Sequence, residues 1–335
     1  MYTIFIDSGT TNSRIRLLNE QEMEIQKTVK ISVGVKNTAI EGNNHKLKAK
    51  LAEGVEQVLN LQGVEPSQVK YIAASGMITS GLGLHEVPHV QAPVQIADFV
   101  SHAEVVKTAD FLSIPVVYIP GMKNDVTEEN CADETTVDSY DVMRGEEVET
   151  FGLLNQLEQT GRGLMVLPGS HTKYVDVEEG TLRSCTSTLG GELIQAANQQ
   201  TILSSSLSDQ LIEQVDPAKL QAGYRAAEKN GLTRSLYHIR LFDLFSEWSR
   251  NERANYFVGA VLHEDLEALR RITKLGAEPD WVIVGGSNPL RQAFVQMLKT
   301  IFPDWKVYEA TDKQVDKAPV LGAWEIGSLL FPTDR

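Results

Sequence analysis

The sequence predicts an α/β protein built from two domains, and three observations lead to this prediction. The chain has 335 residues, and because domains commonly hold about 150 residues, two domains are favoured over one. Apolar strand patterns alternate with helical patterns along most of the chain. A short pattern around Gly9 also returns around Gly169, 160 positions later. The length, the alternation and the repeat together indicate a duplicated α/β unit.

The first part of the chain mixes a β-meander with α/β character. Residues 2–6 form an apolar strand, and in the next strand Ile15 and Leu17 alternate with arginines. Four-residue spacing of leucine and valine predicts the first long helix. The other predicted elements are a third strand at 23–31, a helix at 45–61, strands at 69–74 and 116–120, and a glycine-rich loop at 75–95.

The second part begins with a helix from about Glu146 to Gln159 and a block of strands over 164–188. A helix at 252–272 then precedes the apolar strand Trp281–Gly286, and a further helix starts near Asn288. A strand at 305–309 and a final helix at about 319–330 end the pattern. Strand followed by helix is the βα unit of α/β proteins.

Composition and charge exclude several classes of function. The chain is 42% hydrophobic and 23% charged, as in ordinary globular proteins. It has 45 acidic and 31 basic residues, a net charge of −14. The negative electrostatic field of such a chain repels phosphate backbones and anionic lipids, so we expect no nucleic-acid and no membrane partner. Binding of a small anionic ligand is still compatible with this charge, because local donors can outweigh the overall field. Cys131 and Cys185 match neither a disulfide framework nor a thiolate metal site.

The remaining bulk features favour a soluble, cytoplasmic protein. The N-terminal MYTIFID lacks the basic and apolar regions of a signal peptide, and no apolar run approaches about 18 residues. Between Met122 and Asp141 lie seven carboxylates and one lysine, which predicts a solvated surface loop. Cation binding there is a weaker alternative, because the spacing does not match a calcium loop. A homo-oligomer is neither predicted nor excluded.

The internal repeat suggests a phosphate site. It pairs IFIDSGTTNSRIRL at 4–17 with MVLPGSHTKYVDV at 165–177, so each segment reads as strand, glycine-hydroxyl loop, strand. Backbone N–H groups and hydroxyls in such loops can hold a polyphosphate, although ordinary turns are the alternative for either loop alone. Asp7, at the end of the first strand, is placed where Mg²⁺ would bind through a carboxylate and phosphate oxygens. The pair of hairpins therefore favours a nucleotide.

Other motifs are rejected on physical grounds. HEVPH at 85–89 matches the H-E-x-x-H zinc pattern, but Pro88 prevents the helix that would bring His85 and His89 to one metal. We interpret both histidines as loop residues, one of them facing a ligand. No Walker A motif, G-x-G-x-x-G motif or G-x-S-x-G nucleophile elbow occurs. A phosphate site made from hairpin loops is what remains.

Several motifs resemble one family. DSGTTNSR at 7–14 is similar to the first phosphate motif of the sugar kinase, heat-shock chaperone and actin superfamily. More narrowly, the chain resembles the 2-dehydro-3-deoxygalactonokinase family through SGMITSGLGLHEVPHV at 75–90, DVMRGEE at 141–147, LPGSHTKY at 167–174 and VIVGGS at 282–287. The resemblance implies two ribonuclease H-like (actin-like ATPase) domains, 1–140 and 141–335, facing across a nucleotide cleft. Its final helix would pack back near the hinge.

The resemblance also implies ATP and Mg²⁺ as cofactors and a sugar acid as partner. Asp7 would hold the metal, and Arg14 would act with it in catalysis. The expected nucleotide-binding residues are Gly9, Thr10, Thr11, Asn12, Gly169, Ser170, His171, Thr172, Lys173, Gly285, Gly286 and Ser287. The implied reaction transfers the γ-phosphoryl group of ATP to the 6-hydroxyl of 2-dehydro-3-deoxygalactonate. A nucleotide sensor or chaperone-like ATPase of the same fold is the alternative function.

The base and the residues that bind the sugar acid are predicted around the start of the helix at Glu146. In related sugar kinases an acidic residue after glycine begins the helix before the second hairpin, so Glu146 is the predicted base, with Glu147 as competitor. Both could instead only complement the helix N-terminus. Arg144, with Ser75, Gly76 and Met77, is predicted to bind the substrate carboxylate, unless Arg144 forms a structural ion pair.

The sequence also departs from the family pattern. Ser8 and Tyr174 stand where tryptophan is usual, and Gly190, Gly191 and Glu192 replace the usual Thr-Gly-Glu. The acidic stretch 122–140 looks like an insertion. These departures put the identity of the substrate in doubt, and the epimer is left open.

Overall fold

The protein is described here from a computed structural model, which covers residues 1–125, 134–274 and 278–332, with Lys274 as backbone only. Cys131 and the centre of the acidic stretch lie outside these residues. The chain divides into two compact units. The first comprises Met1–Gln159, Gly180–Cys185 and Lys313–Arg335, and the second comprises Thr160–Glu179 and Thr186–Asp312.

The first unit contains a six-stranded and a three-stranded sheet. Its strands are β1 (Tyr2–Ser8), β2 (Ser13–Asn19), β3 (Glu24–Ile31), β4 (Val69–Gly76), β5 (Val90–Gln91), β6 (Glu104–Lys107), β7 (Pro115–Tyr118), β8 (Met122–Lys123) and β9 (Val142–Met143). The larger sheet has the order β3, β2, β1, β4, β7, β6, and the smaller one β5, β8, β9. β1 is antiparallel to β2 and parallel to β4. The carboxyl ends of β1 and β4 therefore lie side by side, at one edge of the sheet.

The first unit also contains five α-helices within the described residues. They are α1 (Val35–Glu41), α2 (His45–Gln62), α3 (Ile96–His102), α4 (Glu146–Leu157) and α10 (Asp312–Leu330). Of these, α2 packs its apolar stripe on the buried face of the larger sheet. Leu47, Leu51 and Val55 of α2 are fully buried in the core that contains Ile4 and Ile15, as the four-residue spacing predicted.

The strands of the second unit belong to a five-stranded sheet. The sheet contains β10 (Arg162–Leu167), β11 (Thr172–Glu178), β12 (Thr181–Thr188), β13 (Trp281–Val284) and β14 (Val307–Glu309), in the order β12, β11, β10, β13, β14. The first part of β12, up to Cys185, is grouped with the first unit. β10 is antiparallel to β11 and parallel to β13. This is the arrangement of β3, β2, β1 and β4 in the first unit. The predicted duplication at an offset of 160 residues is therefore confirmed as two copies of one sheet topology.

Helices of the second unit pack tightly against one another. They are α5 (Gly190–Gln200), α6 (Pro217–Asn230), α7 (Leu232–Phe245), α8 (Arg250–Lys274) and α9 (Leu290–Ile301). A Cβ at Gly223 of α6 would lie 1.9 Å from the Tyr256 carbonyl oxygen, and one at Gly259 of α8 would lie 2.0 Å from that of Leu220. The two helix backbones touch, because glycine has no side chain to separate them. α8 is thereby held in place.

The compact units divide the chain at a different point from the predicted boundary after residue 140. Residues 141–159 group with the first unit because α4 packs on α10: a Cβ at Gly152 would lie 1.9 Å from the Ala318 carbonyl oxygen. The final helix is accordingly an integral part of the first unit. It begins at Asp312, and Pro319, where the sequence analysis started it, lies inside the helix. Among the described residues no helix is long and apolar enough to cross a membrane.

Candidate active site

The first hairpin places Asp7 beside two arginines. Asp7 lies opposite Arg14 in the β1–β2 register. Its Oδ2 is 3.3 Å from Nη1 of the exposed Arg14 and 4.0 Å from Nη1 of the buried Arg16, and its side chain is 28% exposed. Arg16 also pairs with Asp316 at 3.2 Å. The predicted metal residue thus has an accessible carboxylate at the carboxyl end of a central strand.

The first loop, Gly9–Asn12, is fixed by the helix that follows the meander. The Gly9 N–H donates to the Asn12 carbonyl, closing a turn at 2.9 Å. Two N–H groups at the start of α1, those of Val35 and Lys36, donate to the carbonyl oxygens of Gly9 and Thr10. The side chains of Thr10, Thr11 and Asn12 are exposed. The predicted phosphate loop is therefore a rigid turn that presents its polar side chains to solvent.

The second loop repeats this construction. The N–H of Glu192, at the start of α5, donates to the Ser170 carbonyl at 2.8 Å, and a Cβ at Gly191 would lie 1.8 Å from the Gly169 carbonyl oxygen. Gly169, Ser170 and His171 are exposed, as expected for ligand binding. Thr172 and Lys173 are buried. Only the first three of the five predicted residues are accessible in this structure.

Asp265 is a buried acid beneath the second hairpin that the sequence analysis did not single out. It is 3% exposed and accepts a hydrogen bond from the Thr172 hydroxyl at 3.3 Å, while the Tyr174 hydroxyl donates to its backbone carbonyl. Burial raises the pKa of its carboxyl from 3.8 to about 6. A carboxylate on the apolar stripe of α8, between Leu262 and Leu266, was the sequence feature that could have revealed it. Asp265 fastens the second hairpin to α8.

Replacing Asp265 with asparagine should change the pH dependence of stability. Because its pKa is raised in the folded protein, the folded state holds a proton between about pH 4 and pH 6 that the unfolded chain has released. The wild type therefore loses stability relative to Asp265→Asn as pH rises through this window, by on the order of 1–3 kcal/mol, and the difference is constant above it. Urea unfolding at pH 4 to 8 measures this, and a pH-independent difference would contradict the assignment.

The Gly285–Ser287 segment lies beside the second loop. The Gly285 N–H donates to the Val166 carbonyl at 2.9 Å, which extends the β10–β13 pairing. Gly286 has a φ of +73°, and a Cβ there would lie 2.4 Å from the Pro168 carbonyl oxygen. Glycine is required at this turn for both reasons. Gly286, which is predicted to bind adenosine, thus packs against Pro168, the residue before the second loop, in the same unit.

Gly76 is where the elements of the first unit's site converge. It follows Ser75 at the end of β4, and a Cβ built on it would lie 2.7 Å from the Ser8 carbonyl oxygen and 3.6 Å from Oδ1 of Asp7. On another side, a Cβ built on Gly145 would lie 3.1 Å from the Cα of Gly76. Asp7 and the start of α4 therefore flank the same glycine. Met77, the third predicted acceptor residue, is half-buried.

Glu146 and Glu147 have different environments at the start of α4. Glu146 is half-buried, and its Oε2 accepts a hydrogen bond from the Arg144 N–H at 3.0 Å. Glu147 is 1% exposed, and its Oε2 accepts one from the Gly145 N–H. Burial, followed by the charge of Glu146, raises the pKa of Glu147 to about 8. Of the two candidate bases, Glu146 has the more accessible carboxylate.

Arg144 is bound to the loop that contains HEVPH. Its Nη1 donates to the carbonyl and hydroxyl oxygens of Thr79 at 2.6 and 2.7 Å. Its Nη2 donates to the Val87 carbonyl and to Nδ1 of His89, at 3.1 and 3.2 Å. Both Nη atoms are thus bonded to acceptors of one loop, and the binding of the substrate carboxylate by Arg144 stays a prediction. Arg144 fixes the loop that follows Gly76.

The two histidines of HEVPH have separate partners. His85 Nε2 is 2.6 Å from Glu104. Burial, followed by the charge of Arg144, lowers the pKa of His89 to about 4, so its ring is neutral. Residues 85–89 are not helical, which confirms that these histidines do not share a helical face. In the described ranges no group of three or more His, Cys, Asp or Glu residues is arranged to hold a metal ion.

Comparison with solved structures establishes the fold. A Sinorhizobium meliloti protein assigned as a 2-dehydro-3-deoxygalactonokinase superposes with a TM-score of 0.74, covering 100% of this chain and 98% of that one at 18% identity. The activator of 2-hydroxyisocaproyl-CoA dehydratase from Clostridium difficile, with bound ADPNP, gives a TM-score of 0.53 at 12% identity, covering 100% and 99%. At these identities the similarity shows the actin-like ATPase and sugar kinase fold alone.

Sequence comparison adds the family. A curated protein of Rhizobium meliloti (strain 1021), assigned as a 2-dehydro-3-deoxygalactonokinase, is 25% identical over 138 residues, so the match spans 41% of this chain and 40% of that relative. The family described as 2-keto-3-deoxy-galactonokinase matches residues 7–319. That range holds both hairpin loops, Gly76, the start of α4 and the Gly285–Ser287 turn. A match from Asp7 to the final helix, on the fold that sugar kinases share, shows that this chain belongs to the 2-keto-3-deoxy-galactonokinase family.

Proposed function

We propose that the protein is an ATP-dependent kinase that phosphorylates the 6-hydroxyl of 2-dehydro-3-deoxygalactonate or a close 2-keto-3-deoxy sugar acid. The observation that carries the proposal is the convergence on Gly76 of Asp7, from β1, and of the Gly145–Glu146 helix start, from α4. A candidate metal carboxylate and a candidate base are thereby set within one compact unit. Family membership over residues 7–319 supports the same reaction class.

The nucleotide-binding residues fit a polyphosphate. In the turns Gly9–Asn12 and Gly169–His171, the carbonyls of Gly9, Thr10 and Ser170 accept N–H groups from the starts of α1 and α5. The exposed side chains and the remaining donors of the turns are therefore what a phosphate would meet. The turn at Gly286 would accept the adenosine, because no side chain blocks the approach there. Asp7, accessible at the end of β1, would hold Mg²⁺, which supplies charge neutralisation on phosphate oxygens. Arg14, exposed beside Asp7, would contact the phosphates.

Glu146 performs the proton transfer in this proposal. Its carboxylate takes the proton of the 6-hydroxyl, whose oxygen forms a bond to the γ-phosphorus as the bond to the β-phosphate oxygen breaks. Ser75, Gly76 and Met77 orient the sugar acid next to this carboxylate. Arg144 contributes by holding Thr79, Val87 and His89, since a fixed loop positions the acceptor for in-line transfer.

An assay over a panel of 2-keto-3-deoxy sugar acids tests the proposal. ATP consumption should depend on Mg²⁺ and rise on addition of one acid, and the product should carry its phosphate at the 6-position by ³¹P NMR. The panel should include both C4 epimers and a 6-deoxy analogue, which has no hydroxyl to accept phosphate. ATP hydrolysis that is unaffected by every acid would contradict the proposal and would favour the sensor or chaperone-like ATPase. A cytoplasmic location stays a prediction.

A further inference from the structure

Glu147 is a buried acid whose two oxygens have unequal partners. Its side chain lies at the start of α4 and is 1% exposed. Oε2 accepts the Gly145 N–H, whereas Oε1 is buried and has no hydrogen-bond partner among the residues that the structure describes. A charged carboxylate with one oxygen left unsolvated would be costly at such a site. A proton on Oε1 removes the charge, which is the larger part of that cost, and leaves the bond to Gly145 intact.

The N–H group that donates to Glu147 belongs to Gly145, which lies in a turn with an unusual backbone conformation. Gly145 has a φ of +114°, a conformation that other residues rarely adopt. The position also lies against Gly76, where a Cβ would come within 3.1 Å of the Gly76 Cα. Glu146 follows directly and accepts the preceding N–H, that of Arg144. Two successive carboxyl groups thus hold two successive amides, and the turn sets where Glu146 points.

Three charged groups act on this position or face its helix. Burial, which is the largest cause, and the charge of Glu146 raise the pKa of Glu147 to about 8, against two backbone hydrogen bonds and the charge of Arg144, which lower it. From α10, Glu325 faces α4 but bonds to Asn155, eight residues and about 12 Å along the helix from Glu147. The part of α10 that packs beside Glu147 is Gly322, which lies against the backbone of Val148 and carries no charge. Burial therefore favours the uncharged form of Glu147.

We propose that Glu147 is a positioning residue that works as an uncharged carboxylic acid: it holds the Gly145 turn and thereby directs Glu146 toward the acceptor hydroxyl. The inference rests on the proposed kinase function and refines it. It assigns the two adjacent acids different roles, one chemical and one geometric. It also explains why a buried acid stands at N2 of a helix when a surface acid would serve the helix dipole equally well.

Two substitutions test the role in activity. Glu147→Leu removes the acceptor for the Gly145 N–H, so kcat at pH 7 should fall about 10²-fold through misplacement of Glu146, with a smaller change in the KM for ATP. Glu147→Gln keeps an uncharged acceptor of the same shape and should restore kcat. The glutamine variant should also keep its kcat between pH 7 and 9, where the wild type loses turnover as Glu147 ionises. Loss of turnover in Glu147→Gln comparable to that in Glu146→Gln would overturn the inference and make Glu147 the base.

Thermal unfolding of the wild type and Glu147→Gln gives a readout that does not need activity. The raised pKa means that stability present at low pH is lost as pH rises, so the Tm of the wild type should fall relative to that of Glu147→Gln from about pH 5 to about pH 8 and then level off. A constant Tm difference over this range would overturn the uncharged state. The predicted Tm shift in a protein with no sugar-acid-dependent ATP use would instead reject the proposed function while retaining the uncharged acid.

Discussion

Replacing Glu146 by glutamine is expected to lower the turnover number by roughly 10² to 10⁴ while leaving the affinity for the sugar acid nearly unchanged. Glutamine keeps the shape of glutamate and still accepts the Arg144 N–H that Glu146 accepts in the native structure. It cannot take the proton of the acceptor hydroxyl. The loss therefore falls on the chemical step, and steady-state kcat and KM with single-turnover measurements separate it from binding.

A matched control separates proton transfer from helix electrostatics. Glu149 also lies in the first turn of α4 and carries the same charge. If the acids only complemented the helix N-terminus, Glu149→Gln and Glu146→Gln would have similar effects, on the order of 0.3–1 kcal/mol of stability each. We expect Glu149→Gln to keep wild-type turnover. Equal and small effects of the two substitutions would place the base elsewhere.

The hairpins were predictable because their sequence features are local. An alternating strand, a glycine-hydroxyl turn and a second alternating strand determine β1–β2 and β10–β11 within about 15 residues each, using short-range conformational preferences. Comparing the two segments then showed the duplication. Buried helices such as α2 were predictable for the same reason, because their apolar spacing repeats every turn.

Features that depend on packing between distant segments were not predictable in this way. α10 starts at Asp312 and runs through Pro319 because its contacts with α4 hold it as a helix, whereas proline alone suggests a helix start. The same contacts explain why residues 141–159 belong to the first unit, although the sequence analysis placed them in the second domain. The role of Arg144 depends on loop acceptors 55 to 65 positions away in the chain, and that of Asp265 on a threonine 93 positions away.

Replacing Asp7 by asparagine is expected to lower Mg²⁺-dependent turnover by about 10² to 10³ with little effect on folding. Asparagine has the same shape but no charge, so it is a poor ligand for a hard cation. The ion pair with Arg14 is partly exposed, so its loss should cost less than about 1 kcal/mol of stability. Turnover measured over a Mg²⁺ titration should show a higher concentration for half-maximal activity in the variant.

Asp316→Asn is the matched control for this experiment. Asp316 also pairs with Arg16, at 3.2 Å, but it is 60% exposed and belongs to α10, so the substitution removes a carboxylate beside the same arginine without altering Asp7. If Asp7 and Asp316 only formed structural ion pairs with arginine, the two variants would have similar turnover and similar Mg²⁺ dependence. A metal role for Asp7 requires that only Asp7→Asn shift the Mg²⁺ titration, since a carboxylate that binds the cation contributes to its affinity. Wild-type turnover of Asp7→Asn at limiting Mg²⁺ would exclude Asp7 as a metal ligand.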